Sequence, residues 1–172
     1  MESIETARLL IRPFTIEDLD DLYALYSQIE IMRYIDSNVR SFELTRIYLQ
    51  GYIHNYTEYG FDLGAAIFKV NQKMIGRCGV IPRPRATGLE GELSFLYAKE
   101  YWGMGLATEA ARAIVSHTFK NYKIDRIFSF VAHKNLASIR VLQKTGLRLV
   151  KNTPTEYEYE ILRGANPSAS TP

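Results

Sequence analysis

Two short segments carry the residue types from which an anion-binding site can be built. In Trp102-Gly103-Met104-Gly105-Leu106-Ala107-Thr108, two glycines sit between a β-rich run and an apolar stripe of helical period. The start of a helix leaves about four backbone N–H groups without intrahelical acceptors and carries partial positive charge. Glycine lets such a backbone wrap closely around a pyrophosphate, so the segment is a candidate anion cradle. The bland alternative is a strand–helix turn that binds nothing. The second segment, Asn135-Leu136-Ala137-Ser138, follows a β-rich run and opens a helix. Asn135 is there an ordinary N-cap, or it joins Ser138 in presenting polar groups at the C-terminal end of a strand, where ligands of open α/β sheets gather.

Nucleotide motifs fit these segments poorly. Gly103-x-Gly105 begins like a dinucleotide fingerprint, but Thr108 stands where the third glycine belongs, and Asp125 precedes the following strand instead of ending it. No Gly-Lys-Ser/Thr is present, so the Walker pattern fails too. His54, His117 and His133 are far apart and lack metal-ligand spacing. Cys78, the one cysteine, has no local Cys–His pattern and reads as a core thiol. Tyr48, Tyr52 and Tyr56 repeat at helical spacing and read as packing.

The elements that must position these segments follow from periodicity and turn chemistry. Ala7–Phe14 reads as a strand ended by Pro13, and Thr15 with Asp18 as a weak capping box for a first helix. Ser41 starts a second helix that Gly60 closes. Leu63–Val70 and Met74–Ile81 form a hairpin around Asn71-Gln72, Pro82 and Pro84 open a loop, and Gly91–Ala98 is the next strand. Thr108–Tyr122 is a helix, and Arg126–Ala132 is apolar on both alternations, as in a central strand covered on both faces. A short helix from Asn135 to Gly146 precedes strands at Leu147–Val150 and Tyr157–Leu162. The order β-α-α-β-β-β-α-β-α-β-β predicts one mixed sheet flanked by helices, with no repeated βαβ ladder.

Bulk properties bound the rest. The 172 residues, 47% of them hydrophobic, suit one domain over residues 1–162, followed by a loose Gly/Pro/Ser/Ala tail over 163–172. The formal charge of +2 is too weak to argue for nucleic acid, although it favours an anionic ligand locally. No signal peptide or membrane-spanning run is apparent, and the expected location is the cytoplasm. Nothing in the chain fixes an oligomeric state.

Taken together, Trp102–Ala111 (WGMGLATEAA) and Asn135–Gly146 (NLASIRVLQKTG) resemble the GNAT family of N-acetyltransferases. Thr6-Ala7-Arg8-Leu9-Leu10-Ile11-Arg12-Pro13-Phe14, with Asp18, is similar to the Rim branch, the ribosomal-protein N-terminal acetyltransferases. The resemblance covers about residues 4 to 162. It implies a single-domain α/β fold of about seven strands and four helices, in which two central parallel strands splay apart to admit acetyl-CoA. By the same resemblance, pantetheine pairs with backbone near Phe95, Leu96 and Tyr97, and the N–H groups from Gly103, Met104, Gly105, Leu106, Ala107 and Thr108 hold the pyrophosphate. Asn135 would contact the pantetheine arm and Ser138 would lie near the thioester sulfur. Trp102 departs from the glutamine or arginine usual at the head of the loop. Leu142 occupies the position of a tyrosine acid in many relatives; in similar Rim enzymes the serine equivalent to Ser138 is the candidate proton donor instead.

The implied chemistry needs a neutral amine, a base for its proton, and a donor for the oxyanion. The thiolate is already a good leaving group, with a thiol pKa near 8.5. Glu92 is the base of choice, since the period of two places it with Ser94 and Leu96 on one face of the cofactor strand. Glu90 and Glu100, in loop or strand-end positions, are weaker candidates. No metal or covalent nucleophile is expected. The acceptor is a protein's N-terminal amine or, alternatively, a polyamine, antibiotic or other small amine, its groove built by residues 30–60 and 82–90. A non-catalytic acyl-CoA-binding module would share the same loop.

Overall fold

The computed structural model describes residues 3–35, 38–86 and 88–165. Leu9 and Ile11 point into one core and Leu10 into another, so the alternation of the first segment makes it a sheet strand, β2 (Leu9–Pro13). A two-residue strand, β1 (Ile4–Glu5), pairs antiparallel to it at the sheet edge. Asp18 then sets the corner: its Oδ2 accepts from the Thr15 N–H at 2.8 Å, and both oxygens accept from Arg12 at 2.7 Å. A 3-10 turn at Ile16–Asp18 leads into α1 (Leu19–Tyr26), and a single turn, α2 (Ile29–Met32), follows. The helix α3 (Phe42–Tyr59) starts where the Ser41 Oγ accepts from the Leu44 N–H and stops at Gly60.

Next come β3 (Leu63–Phe68), β4 (Lys73–Arg85), β5 (Gly88–Tyr97), α4 (Leu106–Asn121), β6 (Arg126–Ala132), α5 (Leu136–Thr145), β7 (Arg148–Asn152) and β8 (Glu156–Leu162). The eight strands form one sheet in the order β1-β2-β3-β4-β5-β6-β8-β7. Helices α1–α3 bury Leu22, Tyr26, Met32 and Leu49 on one face, and α4 and α5 bury Leu106, Ala111, Ile114 and Leu142 on the other. The expected α/β fold and element order are present, enlarged by β1 and α2. Both are too short for a hydrophobic period to develop.

Pro82 and Pro84 do not open a loop; they lie within β4, opposite Gly91 and Leu89 of β5. The β3 ladder ends at Leu63↔Gly79, so farther along β4 one edge is open, and a missing N–H there breaks no ladder. Residues 82–90, expected as an acceptor loop, are therefore a hairpin extension, with Thr87 outside the described residues. Arg126–Ala132 is also less covered than its composition implies, since Phe130 is 44% exposed.

Every strand pair is antiparallel except β5 and β6, and that pair has only two rungs, Gly91↔Ile127 and Glu92↔Phe128. Beyond them β5 stays zipped to β4 and β6 to β8. The two inner edges therefore part after Glu92 and Phe128, leaving backbone groups without a strand partner, a wedge into which an extended ligand can pair. Arg163, at the head of the expected tail, donates to Phe119 O, to Tyr122 O at 2.5 Å and to Asp125 Oδ1 at 3.1 Å. Residues 166–172 lie outside the described residues.

Candidate active site

The glycine segment leaves the open end of β5. After a 3-10 turn at Lys99–Tyr101, the Trp102 indole N–H donates to Tyr97 O at 2.7 Å and folds the chain back over the strand end. Gly103 and Gly105 then take φ of 77° and 78°, the left-handed region where a Cβ is strained. Gly105 is the N-cap of α4, and its carbonyl accepts from the Glu109 N–H at 3.1 Å. The N–H groups of Leu106, Ala107 and Thr108 precede that bond and have no intrahelical acceptor. A side chain at Gly103 would meet nothing within 4 Å, and one at Gly105 only Arg8 Nη2 at 3.7 Å, so space for a ligand lies against both.

Asn135 and Gly146 bracket α5. The Asn135 Oδ1 accepts from the Ser138 N–H at 3.2 Å, so the ordinary capping role is real, and the side-chain amide donor is left over. A cleft of about 420 Å³ joins these parts. It brings together Phe95, Leu96 and Tyr97 of β5, Gly103, Gly105, Leu106, Ala107 and Thr108 of the loop and α4, and Asn135 and Ser138 of α5. Met104 stands apart, half-exposed, with its carbonyl accepting from Arg8 Nη1 at 2.9 Å. The Tyr97 carbonyl is taken by Trp102.

The cleft also has walls that the sequence did not assign to it. Ile31, Arg33 and Tyr34, expected as part of the acceptor groove, line it from the unforeseen turn α2 and the residues after it. Ala137, Arg140, Val141 and Lys144 follow the i, i+3, i+4, i+7 pattern of one helix face, a signal legible in NLASIRVLQKTG once the cleft side of α5 is known. Arg33, Arg140 and Lys144 give the cleft a positive wall. Among the described residues its one acidic residue, Glu30, is paired with Lys99 at 3.0 Å.

Glu92 lies outside the cleft, at the last rung before the splay. It shares its face of β5 with Ser94 and with Leu96, which packs toward α1–α3. Its Oε2 accepts from Arg83 Nε at 2.7 Å, and Arg83 Nη2 stands 2.5 Å from the same oxygen. Ser94 Oγ accepts from the buried Arg77 at 3.0 Å. Glu90 is tied to Arg85 and Arg126, and Glu100 sits on the exposed turn after β5. Asp62, 2% exposed, accepts from Asn55 and from the Leu63 N–H, and burial pushes its carboxyl up to about 6. Cys78 is fully buried in β4, its thiol pushed up to about 12 by burial, which suits a core residue. Tyr52 is buried and bonded to Tyr26 at 2.9 Å, consistent with packing.

The family model for the acetyltransferase (GNAT) domain matches residues 8–148. The uncharacterized protein YkkB of Bacillus subtilis is 29% identical over 147 residues, 85% of each chain. The uncharacterized N-acetyltransferase p20 of Bacillus licheniformis is 28% identical over 155 residues, 86% of this chain and 85% of that one. Among solved structures, an acetyltransferase (GNAT family) from Bacillus anthracis superposes with a TM-score of 0.81 at 26% identity, covering 95% of this chain and 100% of that one. Two others share the fold at 18% identity. The ribosomal L7/L12 α-N-protein acetyltransferase RimL, in complex with coenzyme A, has a TM-score of 0.79 and covers 96% and 100% of the two chains. The spermidine N-acetyltransferase from Vibrio cholerae, in complex with CoA and spermine, has a TM-score of 0.77 and covers 92% and 97%.

Proposed function

Because the chain belongs to the GNAT acetyltransferase family and is an acetyl-CoA-dependent N-acetyltransferase, we propose that it acetylates the α-amine at a protein's N-terminus by direct transfer. The observation that carries the transfer is the two-rung parallel pair opening onto the cleft beside the start of α4. The cleft fits the cofactor's parts: unpaired strand edges for the amides of pantetheine, helix-end N–H groups for the pyrophosphate, and Arg33, Arg140 and Lys144 for further phosphate charge. In this assignment Phe95 and Leu96 meet the pantetheine by backbone and the Asn135 amide donates to it. Tyr97 serves as a wall, since its carbonyl is engaged by Trp102.

Acetyl-CoA supplies an activated acyl thioester. The acceptor nitrogen attacks its carbonyl, a C–N bond forms and the C–S bond breaks. Glu92 takes the amine proton, directly or through water, and Arg83 holds the carboxylate in place at the edge of the splay. Ser138 Oγ donates to the departing thiolate, and a backbone N–H at the splay donates to the oxyanion. An α-amine pKa near 8 leaves far more neutral nucleophile at pH 7 than a lysine near 10.4, which favours an N-terminus. The Rim-like Thr6–Phe14 segment supports the same acceptor.

A small cationic amine is the second reading. It is favoured by Glu156 of β8, which shares the Glu92 face of the sheet, although Glu158 and Glu160 beside it are already paired with Arg126. Incubation with acetyl-CoA and a mixture of N-terminal peptides and polyamines separates the two by mass spectrometry. Acetylation at peptide α-amines is expected; modification of lysines or polyamines alone overturns the N-terminal assignment.

A further inference from the structure

The N-terminal segment reaches across the sheet edge to the glycine loop. Glu109, in the first turn of α4, points both carboxylate oxygens at residues 6 to 8. Its Oε1 accepts from Thr6 Oγ1 at 2.6 Å and from the Arg8 N–H at 2.8 Å, and its Oε2 accepts from Arg8 Nε at 2.7 Å. Partial burial pushes this carboxyl up, but the bonds from Thr6 and Arg8 outweigh burial and hold it below the usual carboxylate range. The same guanidinium donates through Nη1 to Met104 O at 2.9 Å, and its Nη2 lies 3.7 Å from where a Gly105 side chain would begin. One arginine thus grips the loop between its two glycines and the acid behind it.

This arrangement bears on an anion bound at the loop. Both glycines have left-handed φ and no side chain to pack, so nothing of their own fixes the peptide between them. The bond from Arg8 to the Met104 carbonyl fixes it. Glu109 also places a full negative charge within one turn of the helix end, where it opposes an anionic ligand. Arg8 sets a positive charge against it at contact distance.

We propose that Arg8 is a positioning residue for the pyrophosphate of acetyl-CoA: it orders the glycine loop through Met104 and cancels the charge of Glu109 at the mouth of α4. This rests on the loop being the pyrophosphate cradle. A fastening of the sheet edge to α4 would use the same bonds but would not discriminate between ligands with and without a pyrophosphate.

The test uses two probes on the full chain: acetyl-CoA by calorimetry, and S-acetylpantetheine, which lacks pyrophosphate and nucleotide, by ligand-observed NMR. Arg8→Gln should weaken acetyl-CoA about tenfold or more, the scale of one hydrogen bond to a charged group, and leave S-acetylpantetheine unchanged. Arg8→Lys, which keeps the charge with one donor point, should fall between. Adding Glu109→Gln to Arg8→Gln should recover part of the lost affinity, the share due to the charge of Glu109, but not the share due to the Met104 bond. Equal weakening of both probes, or no weakening of either, overturns the inference, as does a double variant no better than Arg8→Gln. If Arg8→Gln does not fold, Glu109→Gln alone decides: it should keep or tighten acetyl-CoA binding, and a loss there refutes the charge argument. Unchanged acetyl-CoA affinity in Gly105→Asp would instead remove the cradle assignment itself.

Discussion

Replacing Gly105 by aspartate and by asparagine separates shape from charge at the proposed cradle. Gly105 has φ of 78°, where an L-residue is strained by about 1–2 kcal/mol, with Asn and Asp among the best tolerated. The added Cβ meets only Arg8 Nη2 at 3.7 Å, an ordinary contact, so no steric clash adds to that strain. Both variants should therefore fold, with Tm lowered by about 2–4 °C per kcal/mol for a chain of this size. Only aspartate brings a charge. At about 5 Å from one phosphate charge, with an effective dielectric between roughly 20 and 80, the repulsion is about 1–3 kcal/mol. Acetyl-CoA affinity in Gly105→Asp should then be about 5–150-fold below that of Gly105→Asn, by calorimetry at low salt. The gap should narrow as salt rises, because the mouth of the cleft is open to solvent. Equal affinities for the two variants would refute the charge argument, and wild-type affinity in both would reduce the segment to a turn.

Three further substitutions test the catalytic assignments and the core. Glu92→Gln should lower kcat by about 10²–10⁴-fold on a verified acceptor, with a defect that shrinks as pH rises and the amine loses its own proton. A defect constant with pH would assign the base elsewhere. Ser138→Ala should lower kcat by less, with acetyl-CoA affinity near wild type; lost affinity would make Ser138 a binding contact instead of a donor. Asp62→Asn should change the pH dependence of stability. The buried carboxyl holds its proton more tightly folded than unfolded, so the stability it lends is full below about 4 and is lost as pH rises toward about 6. The difference between wild type and Asp62→Asn in urea unfolding should therefore shift against wild type by on the order of 2–3 kcal/mol across that window, and parallel curves would mean that Asp62 ionises freely.

The parts legible in the sequence are those whose determinants are local. Ser41 and Gly60 bracket α3, and Asn135 and Gly146 bracket α5, because each cap acts within one turn of its own helix. The glycine loop was legible for the same reason. Pro82 and Pro84 mislead because their local meaning, a break, is cancelled by a fact no local window holds: the β3 ladder ends at Leu63↔Gly79, so among the described residues no strand pairs with β4 beside the prolines except β5. Arg8 is the sharper case. Its neighbours Leu9 and Ile11 announce a strand, but nothing near it announces Glu109, which lies 101 residues away. Arg33, Arg140 and Lys144 likewise carry no local sign that they share a site, since only the fold brings Arg33 after α2 against the cleft face of α5.

The alternation of β5 assigns its residues to two different tasks. Leu93 and Tyr97 pack under α4 and α5, and Glu92, Ser94 and Leu96 face the other side. The cleft lies beyond the splay and holds the cofactor-type contacts, whereas Glu92 sits at the last rung, outside that cleft, on the side it shares with the β8 glutamates. On the proposed assignment, an acyl donor in the cleft and an amine over Glu92 would meet where β5 and β6 part. In the proposed direct transfer both substrates are present at once, and Glu92 acts on an amine already aligned with the thioester; the one cysteine, sealed into β4 with its thiol pushed up to about 12, is not placed to take part. The ion pair from Arg83 to a single oxygen of Glu92 suits the role proposed for that carboxylate, since it holds the group at the edge of the splay.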